Sequence, residues 1–259
     1  MVIHMGAENS HMLASPFPLL SEKQNEHAFS VLDHSIGSSE ARRGKTVQEN
    51  LKSAVEELVR GLVFLDGIKQ QYPRRVTFFG SARPNLRPSV YSDAENLAEM
   101  LVRGTGSAIV SGGGPGIMKA VTNGAKNAGG VSVGFKVDIP TEKETSDTTH
   151  AMQFDNFFIR RFLLTNSGNA YVFYPGGFGT LDELTEVLVL IQQGWADRIP
   201  VILIGKEYWS SLQKWIEDEL FKKNGTIVGK DTEIVTIVDS AEKAYEIIQK
   251  HFEEHHPSG

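Results

Sequence analysis

The residues best placed to do chemistry are two glycine turns, one glutamate and one arginine pair. Pro175-Gly176-Gly177-Phe178-Gly179 sets three glycines between an apolar run, Ala170–Tyr174, and a helix-forming stretch that opens at Thr180. Glycines leave backbone N–H groups bare, so a ligand can approach the chain directly. The start of a helix adds unpaired N–H groups and the positive end of its dipole, and the combination favours an anion such as phosphate. Glu183 falls in the expected first turn of that helix. A carboxylate beside an anion site is not there for charge attraction, which leaves a catalytic or a hydroxyl-binding role. Thr180-Leu181-Asp182-Glu183 also reads as a capping box, with Glu183 folded back onto the N–H of Thr180. This stretch alone leaves both readings open.

A second turn lies upstream, Ser111-Gly112-Gly113-Gly114-Pro115-Gly116, and a third glycine, Gly80-Ser81, follows the apolar run Val76–Phe79. In an open parallel sheet, ligands bind beyond the carboxyl ends of the strands, where all three turns fall. A dinucleotide fingerprint begun at Gly112 would need its third glycine at 117, where the chain has Ile117, and no G-x-x-x-x-G-K-[ST] phosphate loop is present. A mononucleotide or a sugar phosphate is the remaining phosphorylated ligand. Arg160 and Arg161 sit on a helix just ahead of the central strand. Adjacent helical positions point about 100° apart, so only one of the two can face the rim. Among Phe157, Phe158, Ile159, Phe162, Leu163 and Leu164 the pair is expected to escape a mostly buried helix, with the rim as its exit. A charge-assisted bond from arginine to phosphate contributes about 1.5–3 kcal/mol. The helix dipole alone contributes about 0.3–1 kcal/mol.

The elements that must position these residues alternate strand and helix. Strands are expected at Val76–Phe79, Ser107–Val110, Val131–Phe135, Ala170–Tyr174, Pro200–Ile204 and Ile234–Val238. Helices are expected at Tyr91–Arg103, Ile117–Ala128, Asp155–Asn166, from Thr180, at Tyr208–Leu220 and at Ala241–Phe252. Continuous apolar strands between amphipathic helices predict an α/β fold, a doubly wound, Rossmann-like parallel sheet with helices on both faces. Residues 71–254 are expected to form this single domain. Ahead of it stand a loosely ordered extension, 1–45, and an amphipathic helix, 46–70, opened by the capping box Thr46–Glu49; a tail, 255–259, follows. The polar segment Lys136–Gln153 is long for a connection in such a fold and marks a lid or pocket wall.

The totals bound the function. The 259 residues are 40% hydrophobic and 22% charged, without an apolar run long enough to span a bilayer, so no membrane partner is expected. No cysteine is present, which removes thiolate nucleophiles and disulfides and agrees with a cytoplasmic setting, as does an N-terminus without a signal-peptide profile. A net charge of −6 without a basic tract argues against nucleic acid as a partner. No cluster of ligating side chains calls for a metal, and the terminal histidines are read as solvated.

Pro175-Gly176-Gly177-Phe178-Gly179-Thr180-Leu181-Asp182-Glu183 resembles the P-G-G-x-G-T-x-x-E signature of the LOG ("lonely guy") family of phosphoribohydrolases, often labelled lysine decarboxylases. That family carries an Arg-Lys pair at the spacing that falls here on Arg160, with Arg161 in place of the lysine. Ser111–Met118 is similar to its glycine-rich turn, and Gly80-Ser81 to its first-strand Gly-Ser. The resemblance covers roughly residues 74–225. It implies hydrolysis of the N-glycosidic bond of a nucleoside 5′-monophosphate, with Glu183 and Arg160 as the catalytic pair. Gly80, Ser81, Gly112, Gly113, Gly114, Gly116, Met118, Arg161, Gly176, Gly177, Gly179 and Thr180 would bind the substrate. It also implies a homo-oligomer and no cofactor. Phe157-Phe158-Ile159 stands where cytokinin-activating members tend to read Met-His-Glu, and Lys119 where the family often has glycine, which directs the substrate expectation to AMP or a broader set of purine nucleotides. A lysine decarboxylase would need a Schiff-base lysine for pyridoxal phosphate, and nothing marks Lys119 or Lys126 as one. The other alternative is a nucleotide-binding module of the same fold that does not cleave.

Overall fold

A computed structural model describes residues 47–83, 87–137 and 146–255. Helix α1 (Val47–Gln71) leads into β1 (Arg75–Phe79), α2 (Pro88–Thr105), β2 (Ala108–Ser111), α3 (Ile117–Asn127) and β3 (Ser132–Val137). Strand β4 (His150–Phe154), α4 (Phe157–Thr165), β5 (Ala170–Phe173), α5 (Phe178–Gln192) and β6 (Val201–Ile204) follow. The chain then forms α6 (Lys206–Trp215), β7 (Val235–Val238) and α7 (Ala241–His255). The seven strands make one sheet in the order β4-β3-β2-β1-β5-β6-β7, every neighbouring pair parallel. The strand order reverses between β1 and β5. A crevice opens at such a switch point, beyond the carboxyl ends of the strands.

The period of two along each central strand feeds two cores. On one face Val76, Phe78, Ala170 and Val172 pack with Leu97 and Leu101 of α2, Val121 of α3 and Ile248 and Phe252 of α7. On the other, Phe79, Tyr171 and Phe173 meet Ile159 and Leu163 of α4, Leu184 and Val187 of α5 and Trp209 of α6. Leu65 and Ile68 of α1 belong to this second core. The end of α1 is tied to the sheet by buried Arg75, whose guanidinium donates to the carbonyls of Lys69 (3.4 Å), Tyr72 (2.5 Å) and Ser167 (2.8 Å). A cation thus satisfies the orphan carbonyls of a helix C-terminus.

Three local expectations are corrected. Lys136–Gln153 is not one polar connection. Lys136 and Val137 finish β3, and His150–Phe154 is a parallel edge strand that alternates exposed and covered side chains. One solvated face gives an edge strand a polar composition, which conceals it; residues 138–145 of the expected lid lie outside the described residues. Helix α5 begins at Phe178, not Thr180, with Gly177 at its N-cap and no side-chain cap bond. The capping box is therefore absent, and Glu183 sits in the second turn. Beyond α6 the chain continues as a π-helix, Ile216–Lys223, rather than an α-helix to Leu220. The expected extension 1–45, the capping box at Thr46 and residues 256–259 lie outside the described residues.

Candidate active site

The three glycine turns meet at the switch point because they follow β1, β2 and β5. They are stitched together by backbone bonds. Ser81 donates its N–H to the Pro175 carbonyl (3.1 Å) and accepts the N–H of Ile117 (3.0 Å) with its own carbonyl, and its Oγ accepts the N–H of Arg83 (3.1 Å). Ser81 therefore joins the turns, and its backbone N–H is committed to the protein. Gly80 lets this happen, since a Cβ there would lie 2.7 Å from Ile117. Gly113 and Gly116 have φ of +69° and +65°, the left-handed region that favours glycine. Gly114 donates to the Met118 sulfur (3.4 Å) and accepts from the Ser146 hydroxyl (2.6 Å).

Across the crevice, the first backbone bond of α5 runs from the Leu181 N–H to the Gly177 carbonyl (3.1 Å). The amides of Phe178, Gly179 and Thr180 consequently lack partners within the helix and face the crevice end of the sheet. Thr180 is buried, its side chain packed against Gly176, and the Gly176 carbonyl accepts the Tyr208 hydroxyl (2.6 Å). The helix end carries partial positive charge with no acidic residue in its first turn.

Between these turns lies an ion pair. Arg160 Nη1 donates to Glu183 Oε1 at 2.8 Å, and both side chains are about nine-tenths buried. Arg160 Nε donates to the Phe135 carbonyl (3.0 Å), and the guanidinium lies 5.7 Å from the centre of the Phe157 ring. Its Nη2 sits where a side chain on Gly112 would be, 1.9 Å from the ideal Cβ position, with the Met118 sulfur 2.7 Å away. The expectation that the arginine escapes a buried helix is reversed. Arg160 is 7% exposed, while Phe157 and Phe158 are 41% and 57% exposed. Burial pushes the Glu183 carboxyl above the ordinary glutamate value, opposed by the charge and hydrogen bond of Arg160. Glu183 Oε2 makes no hydrogen bond among the described residues. A half-occupied, desolvated carboxylate next to an anion cradle can accept a proton or stabilise a developing cation.

Arg161 turns away, as adjacent helical positions require. It pairs with Asp182 and, through Nε, with Glu186 (3.0 Å) on the flank of α5. Two residues that patterns in the sequence did not single out also border the turns, Tyr208 at the start of α6 and Lys136, whose chain lies 2.7 Å from the Cβ position of Gly113 and whose ammonium donates to the Ser146 carbonyl (2.8 Å). A cation at the carboxyl end of an inner strand was the available signal for Lys136; Tyr208 gave none. Lys119 and Lys126 are exposed, the latter paired with Asp147 at 3.0 Å. Among the described residues no three His, Asp or Glu side chains gather as metal ligands, and no helix is long and apolar enough to cross a membrane.

Known proteins resemble this chain in sequence and in fold. The sequence profile of a family described as "Possible lysine decarboxylase" matches residues 118–248. A cytokinin riboside 5′-monophosphate phosphoribohydrolase from Rhodococcoides fascians is 28% identical over 148 residues, 56% of this chain and 75% of the relative. One from Arabidopsis thaliana is 29% identical over 187 residues, 71% of this chain and 78% of the relative. In fold, the chain is similar to a Moco carrier protein from Chlamydomonas reinhardtii, with TM-score 0.54, 20% identity and coverage of 70% and 98% of the two chains. It is likewise similar to a molybdenum cofactor binding protein from Rippkaea orientalis, with TM-score 0.50, 23% identity and coverage of 68% and 94%. With that profile spanning half of its length and phosphoribohydrolases among its relatives, the chain belongs to the family described as possible lysine decarboxylase, the LOG family.

Proposed function

We propose that this protein hydrolyses the N-glycosidic bond of a nucleoside 5′-monophosphate, AMP or a cytokinin riboside 5′-monophosphate, to free base and ribose 5-phosphate. The observation that carries the reading is the buried Arg160–Glu183 pair at the switch-point crevice, flanked by glycine turns. The 5′-phosphate rests against the amides of Gly177, Phe178, Gly179 and Thr180, with the Gly112–Gly116 turn on the facing wall. As the C1′–N bond breaks, its electron pair leaves with the base and the ribose gains oxocarbenium character. Glu183 stabilises that charge and takes a proton from the water whose oxygen bonds to C1′; the departing base gains an equivalent proton from solvent, and Glu183 returns its own to solvent. Arg160 holds Glu183 in place and supplies positive charge toward the phosphate side. No step calls for a metal or an organic cofactor.

The test is base release from AMP by the purified protein and its Glu183→Gln variant. Glutamine keeps an oxygen for Arg160 Nη1 but cannot take a proton, so turnover should fall about 10²- to 10⁴-fold. Near-normal turnover in folded Glu183→Gln would remove the catalytic role.

A second reading keeps the ligand and drops the chemistry. Glu183 is also a structural tie between α4 and α5, and a nucleotide-binding module needs no more than that. AMP that binds stoichiometrically in calorimetry while no adenine appears would select this reading. A lysine decarboxylase is not supported: Lys119 and Lys126 are exposed, and the ammonium of Lys136, the lysine at the turn, is held on the Ser146 carbonyl (2.8 Å).

The same proposal takes the protein to be a homo-oligomer in a cytoplasmic setting. Leu51, Val55 and Val59 recur every four residues on the outer side of α1, joined by Leu62 and Val63, each between 44% and 69% exposed. An apolar stripe of this kind on a monomer marks an interaction surface. Light scattering that returns a monomer mass at micromolar concentration would refute the assembly.

A further inference from the structure

Glu57 lies in the middle of α1, far along the chain from either glycine turn, yet it is only 3% exposed. Its Oε1 accepts the backbone N–H of Asp155 (2.5 Å) and of Asn156 (3.3 Å), and its Oε2 receives the side-chain amide of Asn156. These are the two residues immediately ahead of α4, the helix that carries Arg160. A helix start leaves amides unpaired, and an Asn at the N-cap ordinarily accepts one of them with its own side chain. Asn156 makes no such bond, and α4 has no acidic residue in its first turn. The negative charge that suits a helix N-terminus comes instead from another helix.

The two helices are also locked laterally. A Cβ on Gly61, one turn beyond Glu57, would fall 2.3 Å from Leu163 Cδ1 of α4 and 3.1 Å from Phe154. Only a bare backbone lets α1 approach this closely. Helix α4 has nine residues, a length at which tertiary ties rather than intrinsic propensity hold a helix.

We propose that Glu57 is a positioning residue for Arg160, holding from another helix the N-cap residue of α4 and the residue before it. The chain of contacts is short. Glu57 fixes Asn156, the Asn156 carbonyl accepts the N–H of Arg160 (3.1 Å), and the Arg160 guanidinium reaches Glu183 and the Phe135 carbonyl. Helix α1 thereby takes part in the geometry of a crevice that it does not line. The kinetic side of this proposal rests on the hydrolase reading above, whereas its structural side does not.

The test compares full-length wild type, Glu57→Ala and Glu57→Gln by AMP turnover and by hydrogen exchange of backbone amides. In Glu57→Ala, kcat should fall about 10- to 100-fold with KM little changed, because a misdirected Arg160 spoils the transition state more than ground-state binding. Amides of Ile159–Leu163 should exchange about 10-fold faster, while those of β1 and β5 keep their protection. Glu57→Gln keeps an acceptor for both backbone amides and should lie within about 3-fold of wild type in both readouts. Unchanged exchange in α4 of folded Glu57→Ala overturns the proposal, and so does a uniform loss of protection across all strands. If Glu57→Ala does not fold, Glu57→Asp, whose shorter side chain cannot reach both backbone amides, takes its place: faster exchange confined to Ile159–Leu163 supports the proposal, and unchanged or globally faster exchange refutes it. A wild type that releases no base would sink the hydrolase reading, and the exchange pattern would still settle Glu57.

Discussion

The two glycine turns look alike in sequence and differ in what surrounds them. In the turn after β2, the space a side chain would need is already taken by protein. Arg160 Nη2 lies 1.9 Å from the Cβ position of Gly112, Lys136 lies 2.7 Å from that of Gly113, and the Ser81 carbonyl 2.1 Å from that of Gly116. In the turn after β5, nothing lies within 4 Å of the Cβ positions of Gly177 and Gly179, and neither has a positive φ. Glycine in the first turn serves internal packing. In the second, Gly176 makes room for Thr180, but at Gly177 and Gly179 glycine serves nothing internal, so the bare backbone there is left for a ligand. The first turn is a wall that holds Arg160, and the second is the surface a phosphate meets.

The sharpest way to break this contrast is Gly112→Ala. The added methyl must displace the Arg160 guanidinium, so overpacking should cost about 1–3 kcal/mol of stability. Base release from AMP should drop about 100-fold, the order expected when a catalytic group moves by about 1 Å. Thermal denaturation together with turnover reads both. A Gly112→Ala variant with wild-type melting and turnover would show that Arg160 does not depend on this wall.

Gly179→Ala should behave in the opposite manner. Alanine suits the first turn of a helix better than glycine, and the variant should be equal or more stable by up to about 1 kcal/mol. The methyl points into open space that the proposed phosphate needs, so KM for AMP should rise about 10-fold or more, the loss of one charge-assisted bond of about 1.5–3 kcal/mol. A KM unchanged from wild type would mean that the open turn does not receive the phosphate.

Much of this architecture could be read before folding. The strands β1, β2, β5 and β6 are buried on both faces and announce themselves as unbroken apolar runs, and the signature around Gly176–Glu183 with Arg160 upstream named a pair whose side chains do meet. What stayed hidden has physical causes. Strand β4 has one exposed face and therefore the composition of a loop. The start of α5 was displaced by two residues because Phe178 and Gly179 lie inside the helix, where glycine is seldom expected. No pattern in the sequence singles out Glu57, and Arg160 is expected to escape its helix; both are buried because each has a specific partner in another element. Pairings between helices distant in sequence leave no local pattern.

The smallest expected effect is the most discriminating between the turns. Glu183 titrates above the ordinary glutamate value because burial outweighs the pull of Arg160. If the proposed base must be ionised, the acid limb of kcat/KM lies above the ordinary value of 4.5. Gly112→Ala moves Arg160 away, removes part of the influence that lowers the pKa, and should shift that limb to higher pH. Gly179→Ala leaves the ion pair alone and should keep the limb where it is in wild type. The stability consequence has the same sign. A carboxyl whose folded pKa is raised contributes most below the unfolded value and loses that contribution as pH rises through the folded one. Gly112→Ala should therefore lose more stability relative to wild type at neutral pH than near pH 4, whereas the difference for Gly179→Ala should not change with pH. Parallel pH profiles for the two variants would erase the distinction between a turn that holds the charge and a turn that meets the ligand.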